Sequence, residues 1–353
     1  MEEENKPIIG ISCGDLNGIG LEVIMKTFND TQMLDLCTPV LFASSKVTSY
    51  HRKALNFTEF NYQVINSLDQ IHHRKFCLYN SWNDAVDLEF GKNSHEVGAF
   101  ALKSIDVGLQ AWKDGKIDAL VTAPINKNNI TIPEKAFTGH TGYIGDAVGS
   151  EPLMILTANN LRVALVTGHI AVSEIASALS EELILKRIKQ LHKSLVEDFG
   201  IRKPKIAVLG LNPHAGDDGL MGDEEARIIK PAIEKCFDQG MIVYGPYAAD
   251  GFFGAETFKN FDATLAMYHD QGLIAFKSLA FENGVNYTAG LPIVRTSPDH
   301  GTGLDIAGKG VASEVSFREA VYLAIEISEK RKEYQEITSN VLENQKVERS
   351  RDR

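Results

Sequence analysis

The sequence predicts an α/β fold, and three observations predict it. Short runs rich in β-branched and other apolar residues recur along the chain. Segments with helical apolar spacing fall between them. Several of the runs are nearly continuous, without polar alternation, as in strands covered on both faces of a parallel sheet.

The strand runs occur at 7–12, 39–43, 117–121, 162–166, 205–210, 241–243 and 263–268. The first helical segment, 97–112, has apolar residues three and four apart and stops at Lys113-Asp114-Gly115. Residues 173–197 read as a long helical region, broken or continuous. Residues 223–237 form another, ending before Gly240, and 316–332 a fourth, with Ser316 as its cap. The 353 residues are enough for two domains of ordinary size. No low-complexity linker separates them. Domains that share strands or cross over more than once are expected, with a ligand cleft between them.

Composition narrows the function. With 44% apolar and 24% charged residues, the chain is a packed globular protein. A formal net charge of −11 argues against nonspecific nucleic-acid binding. A few local cations can still hold an anion in a cleft. Cys13, Cys37, Cys77 and Cys236 are scattered with no C-x-x-C pair, so buried thiols in a reducing cytosol are expected. The acidic N-terminus lacks a signal peptide's basic start and apolar stretch, and no apolar run reaches bilayer length. The expectation is a cytoplasmic protein without a membrane partner. The polar tail, 339–353, is expected to be mobile.

Three histidines follow strand runs directly. His169 follows 162–168, His214 follows 206–213 and His269 follows 265–268. Open α/β sheets bind ligands at the carboxyl ends of their strands. Three imidazoles there can converge on one divalent metal and leave positions open for substrate. Imidazole suits zinc, cobalt or iron better than magnesium. The alternative is three hydrogen-bonded structural histidines, since the spacing lacks the i, i+4 pattern of a helical zinc motif. Asp270 beside His269 can orient the imidazole, handle protons or cap a helix.

Two segments are rich in glycine. GDLNGIG at 14–20 is neither G-x-G-x-x-G nor a Walker loop. It reads as a tight turn whose backbone approaches something closely. DHGTGLDIAGKG at 299–310 reads as a loop that wraps a ligand, or as a structural loop. Between His269 and this loop stand Lys277, Asn286 and Arg295, the residue types that hold phosphate, although each alone could be a solvated surface residue. Gly139-His140-Thr141 adds donors, and the segment Thr122–Lys127 a further cation.

TAPI at 122–125, GHT at 139–141, LNPHAG at 211–216, MYHDQG at 267–272, GLP at 290–292, RTS at 295–297 and DHGT at 299–302 stand in one characteristic order. In this the chain resembles the 4-hydroxythreonine-4-phosphate dehydrogenases of pyridoxal phosphate biosynthesis, over residues 8–327. The resemblance implies two α/β/α domains with a central cleft, as in isocitrate and isopropylmalate dehydrogenases. The first domain would comprise 1–130 with 290–338. The second, 131–289, would carry the metal site and the dimer contacts. It implies a homodimer whose interface contributes to each site, with one histidine donated by the partner chain.

By the same resemblance, His169, His214 and His269 are metal ligands, for zinc before cobalt or magnesium. Substrate contacts fall on His140, Thr141, Lys277, Asn286, Arg295 and Asp250. Asp270 and Lys277 are the candidate bases. His300, Gly301, Thr302, Gly303 and Asp305 belong to the cofactor loop, for NAD with NADP as the alternative. The implied reaction is NAD-dependent oxidation and decarboxylation of 4-phosphooxy-L-threonine to 3-amino-2-oxopropyl phosphate. A related four-carbon acid phosphate, threonate or erythronate 4-phosphate, is the alternative substrate. The chain departs from the family pattern at Gly142, where Glu is usual, at Leu16 and Leu21, where Pro is usual, and at Gly168, where Thr is common. Gly142 bears on the shape of the substrate pocket. A metal-dependent phosphatase or a noncatalytic phosphate-binding protein would share the histidines and cations, but would not need the 299–310 loop.

Overall fold

The computed structural model describes residues 6–132, 137 and 139–340. Most of the tail expected to be mobile, 341–353, lies outside the described residues, as do 1–5. The strands are β1 (Ile8–Ser12), β2 (Thr38–Ala43), β3 (Gln63–Ile65), β4 (Cys77–Asn80), β5 (Ala119–Thr122) and β6 (Leu153–Ala158). They continue with β7 (Leu161–Leu165), β8 (Lys205–Leu209), β9 (Ile242–Tyr247), β10 (Ala263–Ala266), β11 (Val285–Ala289) and β12 (Val294–Pro298). All join one sheet in the order β3-β4-β2-β1-β5-β12-β11-β6-β7-β10-β8-β9. The α/β class is as the sequence predicts.

The sheet is mixed, which corrects the parallel expectation. Both wings are parallel, but β11 runs antiparallel to β12 and to β6, and β6 antiparallel to β7. The β6–β7 connection is a two-residue Asn159-Asn160 turn with Asn159 at φ 51. Asparagine tolerates that left-handed geometry, and tight hairpins need it. β12 returns to pair in parallel with β5, so the chain leaves the first half of the sheet after β5 and rejoins it near the end.

Alternate strand residues pack on opposite faces. On one face Ile9, Ile11, Val121, Ile155, Ala164, Val208 and Leu265 belong to one continuous core. The helices Gly20–Asn29, Glu181–Glu197, Lys230–Asp238 and Val315–Thr338 cover it. On the other face there are two separate cores. One joins Val40, Phe42 and Leu120 to Ile105, Leu109 and Ile144. The other joins Leu156, Leu165 and Leu209 to Phe252, Leu273 and Phe276. Between these two cores, over the antiparallel centre of the sheet, the cleft opens.

Helix ends differ in detail from the sequence pattern. The helix His95–Lys113 starts at Ser94, whose hydroxyl accepts the Val97 N–H. The 173–197 region is broken at Leu179-Ser180, where the Ser180 hydroxyl starts a new helix by accepting the Leu183 N–H. Ser316 is not a cap. The last helix begins at Val315, and the buried Ser316 hydroxyl donates to Gly284 O and accepts the Asp299 N–H. The four cysteines are free and buried, as expected. Among the described residues, no helix is long and apolar enough to cross a membrane.

A buried polar network ties the two halves together across the continuous core. Arg331 on the last helix donates from Nε to Asp198 Oδ1 at 2.7 Å and from Nη2 to the Tyr287 oxygen at 3.0 Å. Tyr287 and Ser194 both donate to Asp198 Oδ2 at 2.6 Å. Burial, with Asp198 beside it, pushes the Tyr287 hydroxyl well above its ordinary pKa. Removing one partner of such a pair leaves a buried charge alone. Asp198→Ala is therefore expected to cost about 3–5 kcal/mol of stability, read as a lower midpoint in urea unfolding. A midpoint within error of wild type would contradict the role given to this network.

A cationic cleft as the candidate active site

The cleft has a volume of about 600 Å³. Its floor is the sheet at β5, β12, β11, β6 and β7, and its walls are segments that follow β5, β7, β10 and β12. Arg295, on β12, is the centre of the floor. Its side chain is 1% exposed. Nε and Nη2 donate to Thr122 Oγ1 of β5 at 3.1 and 2.6 Å, and Nη1 donates to Thr288 Oγ1 of β11 at 3.0 Å. Nη1 also reaches Thr141 Oγ1 at 3.5 Å. Among the described residues, no carboxylate pairs with it. Burial without a counter-charge pushes the guanidinium down to about 9. It remains a cation at neutral pH, held only by hydroxyls.

Other polar atoms here also lack partners. His140 Nε2, Asn286 Oδ1 and His300 Nε2 are buried and make no hydrogen bond. All three residues line the cleft. Leaving such atoms unmet costs about 1–3 kcal/mol each, so clusters of them call for an explanation. His140 opens the helix His140–Val148. Burial, reinforced by Arg295 and Lys127, holds its pKa well below the ordinary value, so the ring is neutral. Lys277 pairs with Asp299 Oδ2 at 3.0 Å.

The histidines emerge from three strands that are neighbours in the sheet, β7, β10 and β8. The Thr167 hydroxyl donates to Met267 O at 2.7 Å, joining the ends of β7 and β10. Gln271 joins β10 to β8: its Oε1 accepts the Met267 N–H at 2.7 Å and its Nε2 donates to Gly210 O at 2.6 Å. His169 and His269 meet in the cleft with ring centroids 5.3 Å apart. Burial, then Lys127 and His269, lowers the His169 pKa. Asp270 lies in the first turn of the helix His269–Ala280, whose capping position makes no side-chain bond. Its carboxylate instead meets His269 Nδ1 at 2.7 Å. Of the three roles open to Asp270, the structure therefore shows the contact that orients the imidazole, not the cap.

His214 does not join the other two. It is exposed, sits in a left-handed turn beyond β8 and does not line the cleft. Asp250, exposed at the start of the helix Ala249–Gly254, is also outside the lining. Among the described residues, no group of three His, Cys, Asp or Glu side chains is placed to hold a metal.

The two glycine-rich segments meet each other. Ile19 N–H donates to Thr302 O at 2.9 Å, and a Cβ on Gly18 would lie 2.7 Å from that oxygen. The close approach inferred for the 14–20 turn is thus to this chain's own 299–310 loop. That loop places His300 and Gly301 in the cleft, and leaves Asp305 exposed and Thr302 and Gly303 outside the lining. Sequence reasoning missed Thr288, which anchors Arg295, Asp299, which pairs with Lys277, and Arg187, a lining cation donated by the helix Glu181–Glu197. Neither Thr288 nor Arg187 carries a local signal, since β11 lacks the apolar pattern that marks a strand.

Fold and cleft together define an α/β protein with a cationic cleft and two imidazoles facing each other in it. Comparison with known proteins makes the assignment particular. Residues 35–324 match the family model of the pyridoxal phosphate biosynthetic protein PdxA, and the chain belongs to this family. It is 51% identical to the 4-hydroxythreonine-4-phosphate dehydrogenase of Bacteroides thetaiotaomicron, over 99% of this chain and 96% of that protein. It is 37% identical to a Clostridium botulinum protein assigned provisionally as a D-threonate 4-phosphate dehydrogenase, over 92% of this chain and 98% of that one. The crystal structure of a 4-hydroxythreonine-4-phosphate dehydrogenase from Burkholderia phymatum superposes with a TM-score of 0.76. It is 35% identical and covers 92% of this chain and 99% of that one.

An anion bound at Arg295 would relieve the unpaired cation and stabilise the folded state by mass action. Inorganic phosphate is expected to raise the thermal midpoint of the wild-type protein, and this rise should vanish in Arg295→Met. An equal rise in both proteins would show that the anion binds elsewhere.

Proposed function

We propose that the chain is a dehydrogenase that converts 4-phosphooxy-L-threonine and NAD to 3-amino-2-oxopropyl phosphate, carbon dioxide and NADH. The observation that carries this reading is Arg295, a buried cation on the floor of a cleft whose partners among the described residues are all hydroxyls. Membership of the PdxA family and the names of the relatives support the same reaction.

Arg295, Thr141 and His140 hold an anionic end of the substrate, with Lys277 and Asn286 across the cleft. Fixing a small molecule at its charged ends sets the position of its reacting carbon. His140 is neutral and serves as a hydrogen-bonding group without adding positive charge. Both candidate bases have partners, Lys277 with Asp299 and Asp270 with His269. This reading gives the hydroxyl proton to Lys277 because that residue lines the cleft. The 299–310 loop, braced by the 14–20 turn, is assigned to the dinucleotide.

The donor set fits a divalent cation in part. His169 and His269 face one another, Asp270 orients one ring, and imidazole suits zinc or cobalt. A cation held there would acidify the C3 hydroxyl and stabilise the charge left when carbon dioxide departs. Among the described residues no third donor joins these two, and this reading takes it from a second copy of the chain. His214 is exposed beyond β8, and exposed apolar side chains follow β7, at Ile170 and Val172, and β8, at Leu220 and Met221. Apolar side chains left exposed near strand ends suit an interaction surface. In this reading a homodimer completes each site with the partner's copy of this histidine.

D-Threonate 4-phosphate is the second reading of substrate, favoured by the Clostridium botulinum relative. A panel of the two phosphates with NADH absorbance decides between them. Turnover of 4-phosphooxy-L-threonine should dominate, and no NADH from either substrate would end the dehydrogenase reading. Sharing of sites has its own test. His169→Ala and His214→Ala homodimers should both be inactive. Mixed by unfolding and refolding, they should regain roughly one quarter of wild-type activity, because each heterodimer keeps one intact site. No recovery would mean that all ligands of a site come from one chain.

A further inference from the structure

Beyond β8 the backbone does at length what it does elsewhere only at single positions. His214, Ala215, Gly216, Asp217 and Asp218 have φ of 54, 53, 85, 45 and 51°. Residues with a Cβ avoid this region, because the Cβ crowds the following carbonyl oxygen. Every member of this run except Gly216 carries one. Such a run persists only where its surroundings over-determine it.

Those surroundings centre on Glu225, whose side chain is buried at 3% exposure in the single wide turn Glu225–Ile229. Its Oε1 accepts the N–H of Leu211 at 2.8 Å and of Asn212 at 2.7 Å. Its Oε2 accepts Asn212 Nδ2 at 2.9 Å. A Cβ on Gly216, at φ +85°, would lie 2.7 Å from Oε2, so the carboxylate packs against the inside of the turn. Glu225 does not line the cleft and touches no reacting group. Meanwhile the His214 ring stands exposed on the outside.

We propose that Glu225 is a positioning residue, whose buried carboxylate holds the 211–218 turn in its left-handed form and so presents His214 outward, as a ligand for a divalent cation at the neighbouring subunit's cleft. This rests on the reading of His214 given under Proposed function.

The test uses full-length Glu225→Gln, Gly216→Ala and His214→Ala. Gln keeps the size of Glu225 but loses one acceptor oxygen, while Ala at 216 presses on the carboxylate from the other side. Two readouts are needed: hydrogen exchange of peptides spanning 211–218, and zinc affinity of the metal-stripped protein by equilibrium dialysis. Both clamp variants should exchange faster there and bind zinc roughly tenfold or more weakly, with helix content retained. Unchanged exchange in both variants would overturn the clamp. Faster exchange with wild-type zinc affinity, alongside lost affinity in His214→Ala, would overturn the positioning role. If His214→Ala binds zinc as well as wild type does, the reading of His214 as a ligand fails instead, and with it the outward presentation. The clamp itself is then judged on exchange alone.

Discussion

A guanidinium buried in the middle of a sheet, with no carboxylate partner among the described residues, is the constraint around which this structure is arranged. Desolvating such a group costs several kcal/mol even after relaxation. Hydrogen bonds to a charged group return about 1.5–3 kcal/mol each, which is why Thr122, Thr288 and Thr141 converge on Arg295. None of them supplies negative charge. Among the described residues, the chain therefore holds a cation without a counter-charge, in a cleft also lined by the orphaned atoms of His140, Asn286 and His300. A phosphorylated acid would meet both demands at once.

The topology explains why the cation lies there. The strands that carry Thr122, Arg295 and Thr288 are β5, β12 and β11, where a parallel wing meets the antiparallel centre. Helices cover one face of this region continuously, whereas on the opposite face the cores of the two halves stop short of each other. The gap gives Arg295 and Asn286 a place to point. Arg331, Asp198 and Tyr287 then fix the two halves on the covered face, opposite the opening. Any motion of the cleft walls would have to work against that network.

Much of this was legible in the sequence. The apolar runs before His169, His214 and His269 mark β7, β8 and β10 because those strands are buried on both faces. The central strands were not legible, and function is the reason for two of them. β11 and β12 carry Asn286, Thr288, Arg295 and Ser297. A strand that forms the floor of a polar cleft cannot keep the apolar pattern by which strands are recognised. β6 was missed despite its apolar sequence, and with it the Asn159-Asn160 turn that signals a hairpin. Ser316 looked like a cap because it precedes a helical pattern. Tertiary contacts instead put its hydroxyl to work between Gly284 and Asp299. Nothing in the local pattern marked Arg187 or Glu225, whose roles depend on partners distant along the chain.

The histidines show how far adjacency in a sheet can go. Three neighbouring strands deliver three imidazoles to one edge, yet only His169 and His269 turn inward. His214 is directed away by a turn that ordinary residues resist, at about 1–2 kcal/mol per residue. A chain that needed His214 for its own cleft would gain nothing from that conformation. The cost makes sense if the imidazole serves a second copy of the chain, because two-fold symmetry returns the same contribution to the first. The strain would then be local to each subunit, and the benefit would belong to the pair.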